Sequence, residues 1–328
     1  MGMRILITGG LGFIGTNLVK FLYEKKTISK IIIIDNYSKI KKPQFDDLDN
    51  IKYFSDKTLY KKNKKRINVI KANIKDYKFA EKICNGIDCV IHLAAESGVD
   101  ISVNQPKFAF DINVNGTFNY LEASRINNVK NFIFASSGSV FGSAKPPMKE
   151  TFAKDPISPY GSSKLSIESF CSSYSFVYRI NTTILRFSNA YGNYSHHKNS
   201  VISKYIKNII EKKPLFIFGD GKQTRDYIHV DDIVSAIYKS MKNKNKCVTH
   251  HIGTGVETTI NQIIGLMTSI FKSHRLEMPK IIYKNIRTGD MKNSSLYVKN
   301  TQNQLDWKAR TTLEKGIRNT ISWYLNTK

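Results

Sequence analysis

A glycine-rich turn near the amino terminus constrains the fold of this chain more than any other feature. Residues 8–15 read TGGLGFIG, and they stand between an apolar segment at residues 4–8 (RILIT) and a helical pattern over residues 16–25. Glycines in such a turn let the backbone approach a pyrophosphate, which then rests on the amino terminus of the following helix. A strand, this turn and a helix at the start of a βαβ unit predict a dinucleotide-binding domain.

Strands alternate with helices along the first half of the chain. Short β-branched runs predict five further strands at residues 30–35, 67–71, 89–93, 131–135 and 182–186, and residues 108–125 carry a helical pattern. This alternation predicts an α/β fold, a Rossmann-type doubly wound parallel sheet with helices on both faces. Ligands of such sheets bind beyond the carboxyl ends of the strands.

The order of these segments also predicts the domain organisation. We expect an NAD-binding domain over residues 1–188, with residues 226–254 returning to it. Residues 189–328 mix glycine, proline and short elements, and we expect them to form mainly a smaller carboxy-terminal substrate-binding lobe.

The composition restricts the possible partners. The 328 residues include 51 Lys and Arg against 26 Asp and Glu, a net charge of +25, but only 10 of the 51 are Arg. Arginine binds bases and phosphates better than lysine, because its guanidinium can donate two hydrogen bonds at once. We therefore interpret the lysines as solvated surface residues and expect no nucleic-acid partner. No apolar run approaches the length of a membrane span. Four cysteines without paired spacing indicate reduced thiols in a cytoplasm, and no spacing typical of metal ligands occurs.

An acidic residue follows the glycine-rich turn at the expected distance. Asp35 closes the second predicted strand, twenty residues after Gly15. A carboxylate at this place accepts hydrogen bonds from the adenosine ribose hydroxyls and repels a 2′-phosphate. The sequence therefore predicts NAD as the cofactor rather than NADP.

Seven further motifs follow in order along nearly the whole chain. They are HLAA (92–95), NVNGT (113–117), YGSSK (160–164), RFSNAYG (186–192), GDGKQTRD (219–226), RTGD (287–290) and LDW (305–307). With these motifs and the GxxGxxG spacing of its glycines, the chain resembles the extended short-chain dehydrogenase/reductase enzymes that modify nucleotide-sugars. The resemblance implies a Rossmann fold, NAD as cofactor and a UDP-sugar as substrate.

Tyr160 and Lys164 are four residues apart, so on a helix they share one face. A nearby ammonium and the positive nicotinamide both favour the phenolate, so Tyr160 can act as a base near neutral pH. The resemblance implies a catalytic Ser–Tyr–Lys set. In this set Tyr160 takes the proton of a sugar hydroxyl, Lys164 holds the ribose and lowers the tyrosine pKa, and Ser137 polarises the hydroxyl.

The resemblance also places the ligand contacts along the chain. The implied NAD-binding residues are Gly9, Gly12, Phe13, Ile14, Gly15, Asp35, Asn36, Asn73, Ile74, Leu93, Ala94, Ala95, Asn113, Tyr160 and Lys164. The implied contacts to the nucleotide-sugar are Ser97, Ser137, Asn189, Phe218, Arg225, Arg287 and Ser294. The two arginines are suited to a bidentate hold on the diphosphate.

The segment after the fifth predicted strand narrows the reaction. Dehydrating and decarboxylating relatives carry a carboxylate at the positions of Gly138 and Ser139, and 3,5-epimerising relatives carry a cysteine in this segment. The chain has neither there. Without an additional acid, the implied reaction is 4-epimerisation through a transient 4-keto sugar, of the kind that serves polysaccharide biosynthesis. The alternatives are a UDP-uronic acid 4-epimerase, an atypical 4,6-dehydratase or reductase and, more remotely, a non-catalytic NAD-binding module.

Two further expectations follow from the resemblance. Ser294 lies where relatives contact the C2 substituent of the sugar, and its small side chain predicts that UDP-GlcNAc and UDP-GalNAc are accepted as well as UDP-Glc and UDP-Gal. Relatives also form homodimers through a four-helix bundle, here built from residues 108–125 and 160–178. We expect the apolar residues of those helices to supply the contact, namely Phe118, Leu121, Phe170, Tyr174 and Phe176.

Overall fold

The computed structural model describes residues 2–55, 63–243, 246–285 and 292–327. The chain divides into two compact units. The first unit comprises Met1–Gly142, Lys154–Arg186 and Val234–His250, and the second comprises Ser143–Ala153, Phe187–Ile233 and His251–Lys328.

A large sheet organises the first unit. Its strands are β1 (Met3–Thr8), β2 (Ile28–Asp35), β3 (Ile51–Phe54), β4 (Ile67–Lys71), β5 (Cys89–His92), β6 (Asn131–Ser137), β7 (Asn181–Phe187) and β12 (Cys247–Ile252). They lie in the order β12-β7-β6-β5-β1-β2-β4-β3, and the pairings from β6 to β3 are all parallel. This confirms the predicted α/β fold with a parallel sheet.

All six predicted strands are present in this sheet, and the sheet contains two strands that were not predicted, β3 and β12. Strand β3 has two exposed central residues, and β12 reads CVTHHI. Neither has the continuous apolar run that marks a strand buried on both faces. The inner strands do, because Leu6 on β1 and Ile32 and Ile34 on β2 are almost fully buried.

Helices follow the strands of the first unit. They are α1 (Phe13–Tyr23), α2 (Tyr77–Ile83), α3 (Val99–Asn104), α4 (Pro106–Phe110), α5 (Thr117–Ile126), α6 (Pro159–Tyr178) and α8 (Val230–Ser240). The predicted helix over residues 108–125 is therefore interrupted. A π-helical segment, Asp111–Gly116, separates α4 from α5, and such segments frequently occur at functional sites.

The second unit has its own apolar core. Its elements are β8 (Asn189–Tyr191), α7 (Val201–Ile210), β9 (Leu215–Phe218), β10 (Thr224–Arg225), β11 (Tyr227–His229), β13 (Thr258–Thr259), α9 (Ile260–Ser273), β14 (Ile281–Lys284), α10 (Lys299–Leu305) and α11 (Leu313–Asn326). Ile202, Ile206 and Ile209 of α7 recur at helical spacing and pack in one cluster with α9 and α11. In the part of the chain that the structure describes, no helix is long and apolar enough to span a lipid bilayer.

Candidate active site

The glycine-rich turn forms a cradle at the carboxyl end of β1. Gly9 has a φ of +69°, and a Cβ atom there would lie 2.7 Å from the backbone nitrogen of Ala94. A Cβ on Gly15 would collide with the carbonyl oxygen of Gly9. Because only glycine fits at both positions, the turn can pack directly against the segment after β5 and against the start of α1. Between them, Gly12 precedes the first turn of α1, which contains Phe13 and Ile14.

Asp35 lies beside this cradle at the end of β2. Its carboxylate accepts hydrogen bonds from the backbone nitrogens of Leu11 (3.1 Å) and Tyr37 (2.9 Å). Burial raises the pKa of Asp35, while these backbone hydrogen bonds lower it. The carboxylate is thus tied to the glycine turn, on the strand next to β1 in the sheet.

The other residues implied to bind NAD follow the ends of three strands or lie in the π-helical segment. The exposed side chains of Asn36 and Asn73 come after β2 and β4, and Ile74 next to Asn73 is buried. The half-buried residues Leu93, Ala94 and Ala95 follow β5. Their placement at the carboxyl edge of the sheet agrees with the site predicted for a dinucleotide.

Asn113 joins two of these segments. It lies in the π-helical segment, is fully buried, and exchanges hydrogen bonds with the backbone of Glu96, at 2.8 Å to the nitrogen and 3.0 Å to the oxygen. Its amide also donates to the Ser163 hydroxyl on α6 at 3.1 Å. Asn113 therefore holds the segment after β5 against α6.

Ser137, Tyr160 and Lys164 come together between β6 and α6. The hydroxyl of Ser137 hydrogen-bonds the side chain of Tyr160, and the Lys164 ammonium donates to the carbonyl oxygen of Ala135 at 2.7 Å. The Lys164 nitrogen lies 5.8 Å from the centre of the Tyr160 ring. The Ser158 hydroxyl caps the amino terminus of α6, which fixes the helix so that these side chains face the sheet.

The pKa values of the two ionisable groups both reflect burial. Burial raises the pKa of Tyr160, and the Glu96 carboxylate raises it further, while the hydrogen bond with Ser137 lowers it. Burial lowers the pKa of Lys164 to about 7. The direction for Tyr160 is opposite to the predicted one. The reason is that burial opposes the phenolate charge and also weakens the positive charge that Lys164 carries at neutral pH.

Glu96 is a charged residue of the site that sequence reasoning missed. It is 5% exposed, its carboxylate accepts from the Gly98 nitrogen at 3.2 Å, and it pairs with the Lys39 ammonium at 2.8 Å. Its side chain acts electrostatically on Tyr160, although 64 residues separate the two. No local pattern signals this contact, because it depends on α6 packing beside the segment that follows β5.

The residues implied to bind the nucleotide-sugar lie in both units. In the first unit Ser97 is exposed and Ser137 is half-buried. In the second unit Asn189 is exposed, Phe218 is half-buried at the end of β9, and Arg225 and Ser294 are close to each other. Thr224 accepts from the Ser294 nitrogen at 3.2 Å, and the Arg225 guanidinium is directed to the carbonyl oxygen of Lys292 at 3.4 Å. Arg287 lies outside the described residues.

Within the first unit, the geometry fits NAD. The glycine turn lies at the amino terminus of α1, where a pyrophosphate can bind. Asp35 offers a carboxylate for a ribose, and Lys164 and Tyr160 stand further along the same edge of the sheet. A phenol that is hydrogen-bonded to a hydroxyl, with an ammonium nearby, can remove a proton from an alcohol and return it.

Comparison with protein families and curated proteins agrees with this chemistry. The family model of GDP-mannose 4,6 dehydratase matches residues 6–320. A Methanocaldococcus jannaschii protein assigned as a UDP-glucose 4-epimerase is 35% identical, over 98% of both chains. The UDP-glucuronate 4-epimerase of Thermodesulfobacterium geofontis is 29% identical, over 97% of this chain and 95% of the relative. The dTDP-glucose 4,6-dehydratase of Escherichia coli is 30% identical, over 98% and 93%.

Solved structures resemble the chain over its whole length. The UDP-glucose 4-epimerase of Thermotoga maritima, solved with UDP-glucose, has a TM-score of 0.87 at 31% identity and 99% coverage of both chains. The UDP-N-acetylglucosamine 4-epimerase of Methanobrevibacter ruminantium has a TM-score of 0.87 at 29% identity, covering 100% of this chain and 99% of that one. MoeE5, solved with UDP-glucuronic acid and NAD, has a TM-score of 0.84 at 27% identity, covering 99% of this chain and 100% of that one.

Proposed function

The chain belongs to the extended short-chain dehydrogenase/reductase family of NAD-dependent nucleotide-sugar epimerases and dehydratases, and we propose that it is a 4-epimerase acting on a UDP-sugar. The observation that carries the proposal is the make-up of the turn after β6. There the Ser137 hydroxyl, which is bonded to Tyr160, contacts the Ser139 hydroxyl at 3.0 Å. A 4,6-dehydratase must protonate a leaving hydroxyl, and hydroxyl groups at this place do not supply the acid.

NAD supplies the redox chemistry when it is bound: it accepts a hydride from the sugar and gives it back. The chain's own residues then handle one proton. Tyr160 takes the proton of the C4 hydroxyl, with Ser137 holding the oxygen and Lys164 stabilising the phenolate. After the 4-keto sugar has turned, Tyr160 returns the proton to the same oxygen while C4 regains its hydrogen on the opposite face.

We propose UDP-GlcNAc and UDP-GalNAc as substrates beside UDP-Glc and UDP-Gal. Ser294 is small and half-buried, and its backbone nitrogen donates to the Thr224 carbonyl oxygen on β10, where Arg225 is suited to a diphosphate. A substrate whose diphosphate binds Arg225 would place its sugar within reach of this segment. A similar structure of a UDP-N-acetylglucosamine 4-epimerase supports this choice.

The test is product analysis with purified protein and no added cofactor. UDP-GlcNAc, UDP-Glc, UDP-glucuronic acid and dTDP-glucose are each incubated with the enzyme, and the products are identified by proton NMR. The proposal expects the C4 epimer to accumulate to equilibrium without net formation of NADH. No epimer from any UDP-sugar would contradict it.

A 4,6-dehydratase is the second candidate, because the Glu96 carboxylate acts on Tyr160 from within the site and the matching family model is that of a dehydratase. The Glu96 carboxylate is, however, already engaged by the Lys39 ammonium and the Gly98 nitrogen. A dehydratase would produce a 4-keto-6-deoxy sugar in the same assay. A Glu96→Gln variant should abolish that product if Glu96 is the acid.

We also propose a homodimer. Large apolar side chains are exposed on α3, α4 and α6, and such clustered exposure is typical of an interface. Leu121 and Tyr174, expected in the contact, are instead buried in the core of the first unit. Phe118 packs between the rings of Phe170 and Tyr174. The exposed set comprises Val99, Val103, Phe108, Phe110, Phe170, Phe176, Val177 and Tyr178.

The cysteines support a reducing compartment, and we propose the cytoplasm. All four are free thiols, and Cys84, Cys89 and Cys171 are buried. Burial raises the pKa of each of these three thiols, which keeps them protonated and unreactive at neutral pH.

A further inference from the structure

Three consecutive residues at the end of β6 contact α6. Their partners on α6 are three residues at intervals of four. Ser137 hydrogen-bonds Tyr160, and the carbonyl oxygen of Ala135 accepts from Lys164 at 2.7 Å. The third contact lies outside the Ser–Tyr–Lys set: the Ser136 hydroxyl donates to the carboxylate of Glu168 at 2.6 Å. Tyr160, Lys164 and Glu168 therefore form one continuous stripe of α6 against the sheet.

Glu168 is held by a buried bidentate ion pair. Arg186 on β7 donates from Nε to Oε1 at 2.9 Å and from Nη2 to Oε2 at 2.6 Å. Both side chains are nearly inaccessible, with 4% and 6% of Arg186 and Glu168 exposed. The Arg186 guanidinium also lies 4.8 Å from the centre of the Phe141 ring. These contacts fix the position of the carboxylate one helical turn from Lys164.

Stability alone does not account for this ion pair. Removing two charges from water costs free energy, and the attraction between them often does no more than offset that cost. A buried ion pair is therefore weak evidence for a stabilising role. Its place beside Lys164 suggests an electrostatic one, because a buried ammonium needs a nearby negative charge to stay protonated. The Glu168 carboxylate acts on Lys164 in this direction, raising its pKa against the effect of burial.

The other titratable groups near Lys164 do not supply that charge. His92 on β5 has a pKa lowered to about 3 by burial and by Lys164 itself, so the imidazole is neutral. The raised pKa of Tyr160 keeps the phenol neutral until a proton is removed. Arg186 is positive, and Glu96 acts on Tyr160 from the segment after β5. Among the described residues, Glu168 is the carboxylate that acts on Lys164.

We propose that Glu168, locked by Arg186 and Ser136, is a positioning residue that favours the ammonium form of Lys164 and so opposes the effect of burial. The ammonium can then hold the cofactor ribose and stabilise the Tyr160 phenolate. The inference rests on the NAD-dependent proton transfer of the proposed function and is independent of the choice of sugar.

The direct test is an NMR titration of Lys164. The full chain, loaded with NAD, is labelled with ¹³C-lysine, and the Lys164 signal is assigned as the one missing from Lys164→Arg. It should titrate apart from the ordinary lysines, whose pKa is about 10.4. Glu168→Gln should lower the Lys164 pKa by at least about one unit, because it removes one nearby opposite charge.

Two further variants keep the test decisive. Glu122→Gln is the matched control, because Glu122 pairs with Arg125 on α5 at 2.5 Å and has no part in the stripe; Lys164 should titrate there as in the unaltered protein. Glu168→Gln combined with Arg186→Met removes both charges together, so it should fold even where the single variant does not. It should lower the Lys164 pKa less than the single variant, since no unpaired guanidinium remains.

The rate of the enzyme against pH gives a second readout. The alkaline limb of kcat should move to lower pH in Glu168→Gln, by the same amount as the Lys164 pKa. An unchanged Lys164 titration in the folded single or double variant would overturn the proposal and leave Glu168 as a packing residue. Because the titration needs no turnover, it decides the role of Glu168 even if the protein epimerises no UDP-sugar.

Discussion

At the scale of single residues, the site combines two ionisable side chains whose protonation states oppose their proposed tasks when the protein is considered alone. Burial keeps Tyr160 protonated and weakens the charge of Lys164. A general base must hold its proton only loosely at the working pH. Positive charge is therefore needed beside the phenol, and the Lys164 ammonium together with the nicotinamide of bound NAD can provide it. Tyr160 can therefore remove a proton only when both the Lys164 ammonium and bound NAD are in the site.

Replacing Tyr160 with Phe removes the proton acceptor and leaves the shape of the site. We expect turnover to fall by ~10²–10⁴-fold, the usual contribution of a general base. NAD binding should persist, because the cofactor contacts come mainly from the glycine cradle, Asp35 and Lys164. Turnover of a UDP-sugar and the NAD content of the purified protein are the two measurements. A variant that keeps more than about a tenth of the original rate would show that another group takes the proton.

Replacing Ser294 with Tyr adds bulk where the C2 substituent of the sugar is expected. Activity on UDP-GlcNAc and UDP-GalNAc should fall selectively, because steric exclusion acts on the larger substituent and leaves the chemistry at C4 unchanged. The ratio of kcat/KM for the two substrate pairs is the measurement, with Ser294→Ala as the control that keeps the site small. Equal losses on both pairs would place the specificity determinant elsewhere.

At the scale of elements, α4 and α6 expose large aromatic side chains that their own unit does not cover. Phe176 is 73% exposed, and Phe108 and Phe110 are about half exposed. Apolar area contributes ~25 cal/mol per Å² when it is removed from water, so a two-fold pairing of these faces would be favourable. In a two-fold contact each residue is contributed by both subunits, so a single substitution changes the interface at two places.

Phe176→Asp should therefore convert the dimer into a monomer. A charge placed in the centre of an apolar contact has no partner and must be desolvated twice, once on each subunit. Light scattering at micromolar concentration gives the mass, which should fall to 37.4 kDa for one chain. The control is Tyr53→Asp, at a 44% exposed aromatic residue on the edge strand β3. If the unaltered protein is itself a monomer, the proposed interface is wrong.

At the scale of the whole molecule, the net charge of +25 sets a global electrostatic condition. Like charges repel, and folding brings them closer together, so the compact state is destabilised by its own charge. Salt screens this repulsion, because the Debye length falls from ~30 Å at 0.01 M to ~10 Å at 0.1 M. This repulsion depends on the summed charge, so it requires no specific partner for any exposed lysine.

Raising NaCl from 0.01 to 0.1 M should consequently increase Tm by a few degrees, since about 1 kcal/mol corresponds to roughly 2–4 °C in a domain of this size class. Differential scanning calorimetry at constant pH is the measurement, and choline chloride at the same ionic strength should act equally. A decrease in Tm with salt would mean that attractive ion pairs at the surface, such as Arg318–Glu314, outweigh the repulsion.

Features that depend only on neighbouring residues could be predicted from the amino-acid sequence. Continuous β-branched runs marked the six inner strands, because a strand covered on both faces must be apolar at every position. The glycine turn and Asp35 indicated the cofactor edge, and the four-residue spacing of Tyr160 and Lys164 placed both on one face of α6. Each of these patterns depends on residues that are close in the sequence, so it does not depend on how the rest of the chain packs.

The tertiary structure determines which residues meet when they are far apart in the chain. It buries Leu121 of α5 and Tyr174 of α6 in the core of the first unit, and it leaves Phe108 and Phe110 of α4 about half exposed. It also brought Glu96 to act on Tyr160 and joined Glu168 to Arg186 across two elements. Strand order and helix packing determine such contacts. The pKa values of the site depend on burial and on these distant charges, so no local pattern could indicate their direction.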